Sequence, residues 1–141
     1  MKNVLVGSAL ILATVALSGG QALPQAGLLG SRTDLDPLTL ASGQPLAQGP
    51  YDLESGKYYR IEIESDGSAE LALAGPDFFR NVWIDEVIIN DIEVRPLGLD
   101  SLEFDDAGTA SISFVTIRPG TFTLRIPGTT GETQQATFNV K

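Results

Sequence analysis

The side chains able to do chemistry in this sequence are almost all carboxylates. Asp85, Glu86, Asp91, Glu93, Asp100, Glu103, Asp105 and Asp106 crowd the stretch between residues 85 and 106. Two uses follow from such a set. Calcium takes several oxygen ligands at once, and a facing pair of carboxyl groups can hydrolyse a glycoside. The spacing matches no calcium-loop pattern, and neighbouring residues on a strand point to opposite faces. The residue types therefore favour solvated strand edges and turns over either site. The 141 residues contain neither Cys nor His, which excludes Ser-His and Cys-His nucleophiles and zinc sites built on those ligands. Ser-Lys chemistry would have to use Lys57, at the start of a strand, or Lys141, the last residue. No turnover chemistry and no cofactor are expected.

The second feature is aromatic. Phe78, Phe79, Arg80 and Trp83 form the one concentrated aromatic segment. Arg beside aromatic rings is a common interface composition, so these four residues are the candidate surface for a partner or ligand. The competing reading is a lid packed over one end of the domain. Two adjacent phenylalanines on a strand cannot both enter the same core. Either one faces solvent, or a helical turn over 76–81, with Pro76 in its first position, brings them together.

Strands must position these residues. Tyr59, Ile61 and Ile63 alternate with Arg60, Glu62 and Glu64, a half-buried pattern of period two bounded by Ser55-Gly56 and Asp66-Gly67. Leu71 and Leu73 continue the period until Gly75-Pro76 ends it. Val82–Ile89 is rich in β-branched and aromatic residues, and Ile92 with Val94 gives a short strand stopped by Pro96 and Gly98. Leu102/Phe104, Ile112/Phe114, Phe122/Leu124/Ile126 and Phe138/Val140 follow, separated by the turns at Asp105–Gly108, Pro119-Gly120 and Pro127-Gly128. Seven to eight short strands spaced by turns predict an all-β sandwich or barrel. Lys57, Glu62 and Glu64 are expected to blunt exposed sheet edges.

The first residues read as an export signal. Lys2 is followed by the 14-residue apolar stretch Val4–Leu17, interrupted only by Gly7, Ser8 and Thr14. That is short of the ~20 residues needed to span a bilayer. Gly20 and Ala22 fit small-x-small cleavage, so residues 1–22 are assigned as a signal peptide, with cleavage after Ser18 as the second choice. No cysteine follows to take a lipid anchor. Residues 23–37, with Pro24, Gly27, Gly30 and Pro37, read as a linker or N-terminal arm. Residues 38–141 form one domain. A periplasmic or secreted location follows. The formal net charge of −9 becomes one unit more negative without Lys2, which disfavours nucleic acid and anionic membranes as partners.

The C-terminal segment PGTFTLRIPGTTGETQQATFNV, residues 119–140, resembles the last hairpin and metal loop of cupredoxins, the plastocyanin-like copper proteins. YDLESGKYYRIEIESDG and FDDAGTASISFVTIRPG resemble strands earlier in that fold, so the resemblance runs from Tyr51 to Lys141. It implies a Greek-key β-sandwich. It also implies where copper ligands would fall: a cysteine near Ile126, a histidine at Thr129, a methionine at Gln134 and the first histidine near Glu70 or Leu71. A blue-copper centre needs a thiolate and two imidazoles. None is present, and the one Met is Met1. The expectation is thus an exported, metal-free cupredoxin-like binding or accessory module. It would act by surface recognition of a periplasmic protein or small ligand, not by electron transfer. The alternative is a protein that binds calcium, or copper weakly, through Asp and Glu oxygens. The loop Pro127–Ala136, vacated of ligands, is expected to be a polar surface loop that adds little to stability.

Overall fold

The computed structural model describes residues 30–141. The signal peptide assigned to residues 1–22, and the arm as far as residue 29, lie outside the described residues. The elements run in the order β1 (Thr33–Asp34), β2 (Leu38–Leu40), β3 (Tyr51–Leu53), β4 (Tyr58–Ser65), β5 (Leu71–Ala74), α1 (Pro76–Phe79), β6 (Val82–Ile89), β7 (Ile92–Val94), β8 (Ser101–Phe104), β9 (Gly108–Thr116), β10 (Gly120–Arg125) and β11 (Gln135–Val140). A single 3-10 turn, Glu132–Gln134, precedes β11.

The strands form two facing sheets. The first has the order β1-β4-β9-β6-β7, with β2 also paired to β4, and the second has the order β3-β11-β10-β5-β8. Eleven strands are therefore present among the described residues, against the seven to eight expected. The surplus lies in β1, β2 and β3, which are two or three residues long and too short to display a period. Each pairs in parallel with a longer strand: β1 and β2 with β4, and β3 with β11. Thr33–Asp34, in the stretch read as a linker or arm, is thus part of the first sheet. The same pairing corrects the edge reading of Glu62 and Glu64. They lie on β4, which has β9 on one side and β1 and β2 on the other, so they occupy an interior strand.

Alternation decides the core. Ile61 and Ile63 of β4, Ile112 and Phe114 of β9, Leu124 of β10 and Phe138 of β11 are fully buried between the sheets. The helical turn α1 supplies the plug. Phe78 packs edge-on against Phe114 of the first sheet at 5.3 Å between centroids, and lies tilted against Phe138 of the second at 4.5 Å. Tyr51 of β3 stacks on Phe138 at 4.9 Å and donates its hydroxyl to the Asp36 carbonyl. Burial, with a contribution from the Asp36 charge, pushes the Tyr51 phenol up to about 12. Gly75, before α1, has no space for a side chain. A Cβ there would stand 2.6 Å from the Thr123 carbonyl oxygen and 2.5 Å from Leu124.

Candidate interaction surface

The outward face of the first sheet carries a designed-looking pattern that follows from register. Tyr58 pairs with Val115, and Val115 pairs with Trp83, so these three side chains form one row across β4, β9 and β6. The next row is Arg60, Ser113 and Glu86, and the one after it is Glu62, Ser111 and Ile88. Directly opposed side chains in such ladders lie ~5 Å apart at Cβ and interact. Between Ile84 and Glu86 the register shifts by one residue. A bulge of this kind re-aims the side chain it displaces, and here that residue is Asp85.

Asp85 accepts a 2.6 Å hydrogen bond from the Tyr58 hydroxyl and a 2.8 Å ion-paired bond from Arg95. Arg95 reaches Glu93 at 2.5 Å and Glu86 at 3.7 Å as well. These contacts, that with Glu93 first, hold the Arg95 guanidinium above its ordinary range. Glu86 is buried on this face. It accepts from the Ser113 hydroxyl at 2.9 Å and from Arg32 at 3.2 Å, which offsets the cost of a buried carboxylate. Arg32 also lies over the Tyr58 ring, 5.9 Å from its centroid. Burial and the bond to Asp85 raise the Tyr58 phenol. The result is a braced polar face with one large aromatic left in water: Trp83, the only tryptophan, is 45% exposed.

The four residues proposed as a surface therefore separate. Phe78 and Phe79 are buried in the core, because the predicted helical turn forms and directs both rings inward, 5.5 Å apart. They are lid packing and present no surface. Arg80 and Trp83 are exposed. The residues that sequence reasoning missed are Tyr58, Arg32 and Arg95. Their sequence neighbourhoods carry no motif, and only the register joins them.

The carboxylate-rich stretch also divides. Asp85, Glu86 and Glu93 are taken up by arginines, and Asp91 sits in the turn between β6 and β7. Glu103 and Asp105 approach Glu70 across the β5–β8 ladder, with one oxygen of each within 4.8 Å of the others. All three are exposed.

The positions implied for copper ligands hold no thiolate and no imidazole. Arg125, at the end of β10, pairs with Ala74 of β5. The pairing is antiparallel, so Leu71 and Glu70 lie on the side to which the chain runs on from Arg125 into the loop. Ile126 is buried, and the Thr129 hydroxyl is spent on the Ile126 carbonyl at 2.6 Å. The residues present do not fit a blue-copper centre in type, since a thiolate and two imidazoles are needed and neither kind of side chain is there. The loop is on the surface as expected, yet it is tied down. Arg125 donates to the carbonyls of Thr129 and Gly131, and the Leu46 amide donates to the Thr133 carbonyl.

No protein-family model matches the chain, and a comparison with curated proteins finds no match. Solved structures do match. A multicopper oxidase superposes with a TM-score of 0.57 at 9% identity, over 77% of this chain and 44% of its own. A multi-copper oxidase from Pseudomonas parafulva gives 0.56 at 16% identity, over 77% of this chain and 30% of its own. A copper nitrite reductase from Nitrosomonas europaea gives 0.53 at 16%, over 67% and 33%. The fold is a cupredoxin-like β-sandwich. The chain spans less than half the length of these structures, and at such identities the likeness is one of fold alone.

Proposed function

We propose that this chain is an exported cupredoxin-like binding or accessory module that recognises a partner through the outward face of its first sheet and carries no blue-copper centre. The observation behind the reading is the half-exposed Trp83, set in a row with Val115 and Tyr58 and flanked by the Arg32–Glu86 and Arg95–Asp85 pairs. An indole gives large contact area for few rotors, which is why Trp anchors so many interfaces. The fixed charges beside it supply orientation, and the copper chemistry of similar folds has no thiolate or imidazole here to support it. Export would make the partner a periplasmic protein or a small ligand in that compartment, with the mature chain beginning at Leu23.

Affinity capture from native periplasmic extract tests this. The wild-type chain should retain a partner that Trp83→Ala loses, with both melting at the same temperature. A profile indifferent to Trp83→Ala sinks the reading. Among the described residues, the alternative use of carboxylate oxygens has the Glu70, Glu103 and Asp105 group. A calcium- or copper(II)-dependent rise in melting temperature, abolished by Glu103→Gln, would favour it over recognition.

A further inference from the structure

The hairpin of β6 and β7 ends the first sheet and leaves apolar surface in water. Asn90 and Asp91 both take positive φ, 48° and 65°, the two-residue turn whose twist suits a tight hairpin. Ile89 pairs with Ile92, and Val87 with Val94, so Ile89, Ile92 and Val94 share the face of the buried Val87. That face is the core face, but here it is uncovered: Ile89 is 40% exposed, Ile92 66% and Val94 45%. Among the described residues no strand pairs with the far side of β7.

The turn fixes the hydrogen-bonding phase of that free edge. In a two-residue hairpin the residues flanking the turn form a hydrogen-bonded pair, and such pairs alternate along the ladder. Ile92 and Val94 thus direct their amide and carbonyl groups at β6. Glu93, and Arg95 just after the strand, direct theirs outward. Charged residues on an edge usually protect it from pairing. These two are of opposite sign and two positions apart, so an antiparallel copy centred on Val94 sets each Glu93 against Arg95 of the second copy. Repulsion is replaced by two cross-strand ion pairs. Both residues sit on the outward face, where they already meet at 2.5 Å within one chain, while Val94 meets Val94 and the uncovered isoleucines extend one apolar face across the axis.

We propose that β7 is a self-association edge and that its occupant is a second copy of this chain, paired antiparallel about Val94 to join the two first sheets. This goes beyond the recognition reading and does not depend on it, since it uses neither Trp83 nor any outside partner. Four main-chain hydrogen bonds and a few aliphatic side chains make a small interface, of the class that gives weak, reversible association. A dissociation constant between about 1 μM and about 1 mM is expected.

Sedimentation velocity of the purified protein across that concentration range reads the result. The wild-type sedimentation coefficient should climb from the monomer value toward that of a dimer. Val94→Lys, which sets two ammonium groups on the axis, should stay monomeric throughout, and Val94→Ile should dimerise like wild type. Glu93→Arg, which opposes two guanidinium groups in the same register, provides a second break should Val94→Lys fold poorly. A wild-type protein that remains monomeric at ~1 mM overturns the proposal. So does a dimer that both charge variants leave intact, since that interface would lie elsewhere.

Discussion

The hairpins β10–β11 and β6–β7 are written in the same alternating code and meet opposite fates. In β10–β11 the inward side chains Leu124, Ala136, Phe138 and Val140 are buried, because this hairpin lies between β3 and β5 in the second sheet and faces the first. In β6–β7 the inward side chains at the tip, Ile89, Ile92 and Val94, stand in solvent. Period two says which side chains share a face. It does not say whether a second sheet lies over that face. Coverage is a property of topology, and the tip of β6–β7 extends past what the second sheet covers.

The sharpest test of the contrast is truncation at the covered end. Phe138→Ala removes a ring that touches Tyr51 and Phe78, and should cost about 3–5 kcal/mol in a denaturant melt. Phe122, on the neighbouring strand, is only half-buried and should cost clearly less. A loss at Phe138 of under ~1 kcal/mol would mean that the aromatic plug does not hold the sheets together.

Next in size is Gly75→Ala. The added methyl has to displace the Thr123 backbone or Leu124, and overpacking of this kind costs about 1–3 kcal/mol. A neutral result would show that β10 can yield at that point. The covered end should also respond to alkali. Tyr51 ionises near 10 when unfolded and about 12 when folded, so the unfolded chain loses its proton first. The stability tied to the neutral phenol is complete below pH ~10 and is lost as pH rises toward ~12. Tyr51→Phe should flatten that part of a stability-against-pH curve; an unchanged slope would place the alkaline loss on another group.

How far the sequence foretold this arrangement depended on the range of the interaction concerned. Turn chemistry at Ser55-Gly56, Asp66-Gly67 and Pro119-Gly120, and alternation in the longer strands, are local and were legible. So was the helical turn at Pro76, which depends on a proline and the three residues after it. The pairing of Thr33–Asp34 with β4 was not, because two residues carry no period and their partner lies more than twenty positions away. The Tyr58–Asp85–Arg95 chain was invisible for the same reason, and the bulge that aims Asp85 is a property of the pairing with β9. Phe78 and Trp83, five residues apart and of similar composition, ended on opposite sides of the sheet. One is carried inward by α1, and the other is set outward by its phase on β6.

A smaller effect is expected in the loop that joins β10 to β11. Thr129→Ala removes the 2.6 Å bond to the Ile126 carbonyl and should cost about 1 kcal/mol, the usual net worth of one such bond. Gln134→Ala, whose side chain meets only Thr133 at the limit of bonding distance, should fall within about 0.5 kcal/mol of wild type. Equal losses at the two positions would show that the loop is held by something other than the Thr129 hydroxyl and Arg125.

The smallest expected effect bears most directly on the uncovered hairpin. Ile92 is two-thirds exposed, so Ile92→Ser removes little apolar area from any protein neighbour within one chain. At low micromolar concentration the variant should melt within about 0.5 kcal/mol of wild type, in contrast with Phe138→Ala in the covered hairpin. The comparison should then change with concentration. If β7 pairs with a second copy, the wild-type melt gains stability as protein concentration rises, because association draws on the folded state alone. Ile92→Ser, with a hydroxymethyl group where the apolar faces would meet, should gain less. A large loss for Ile92→Ser in dilute protein would mean that this side chain is packed within its own chain, and the two hairpins would no longer be opposites.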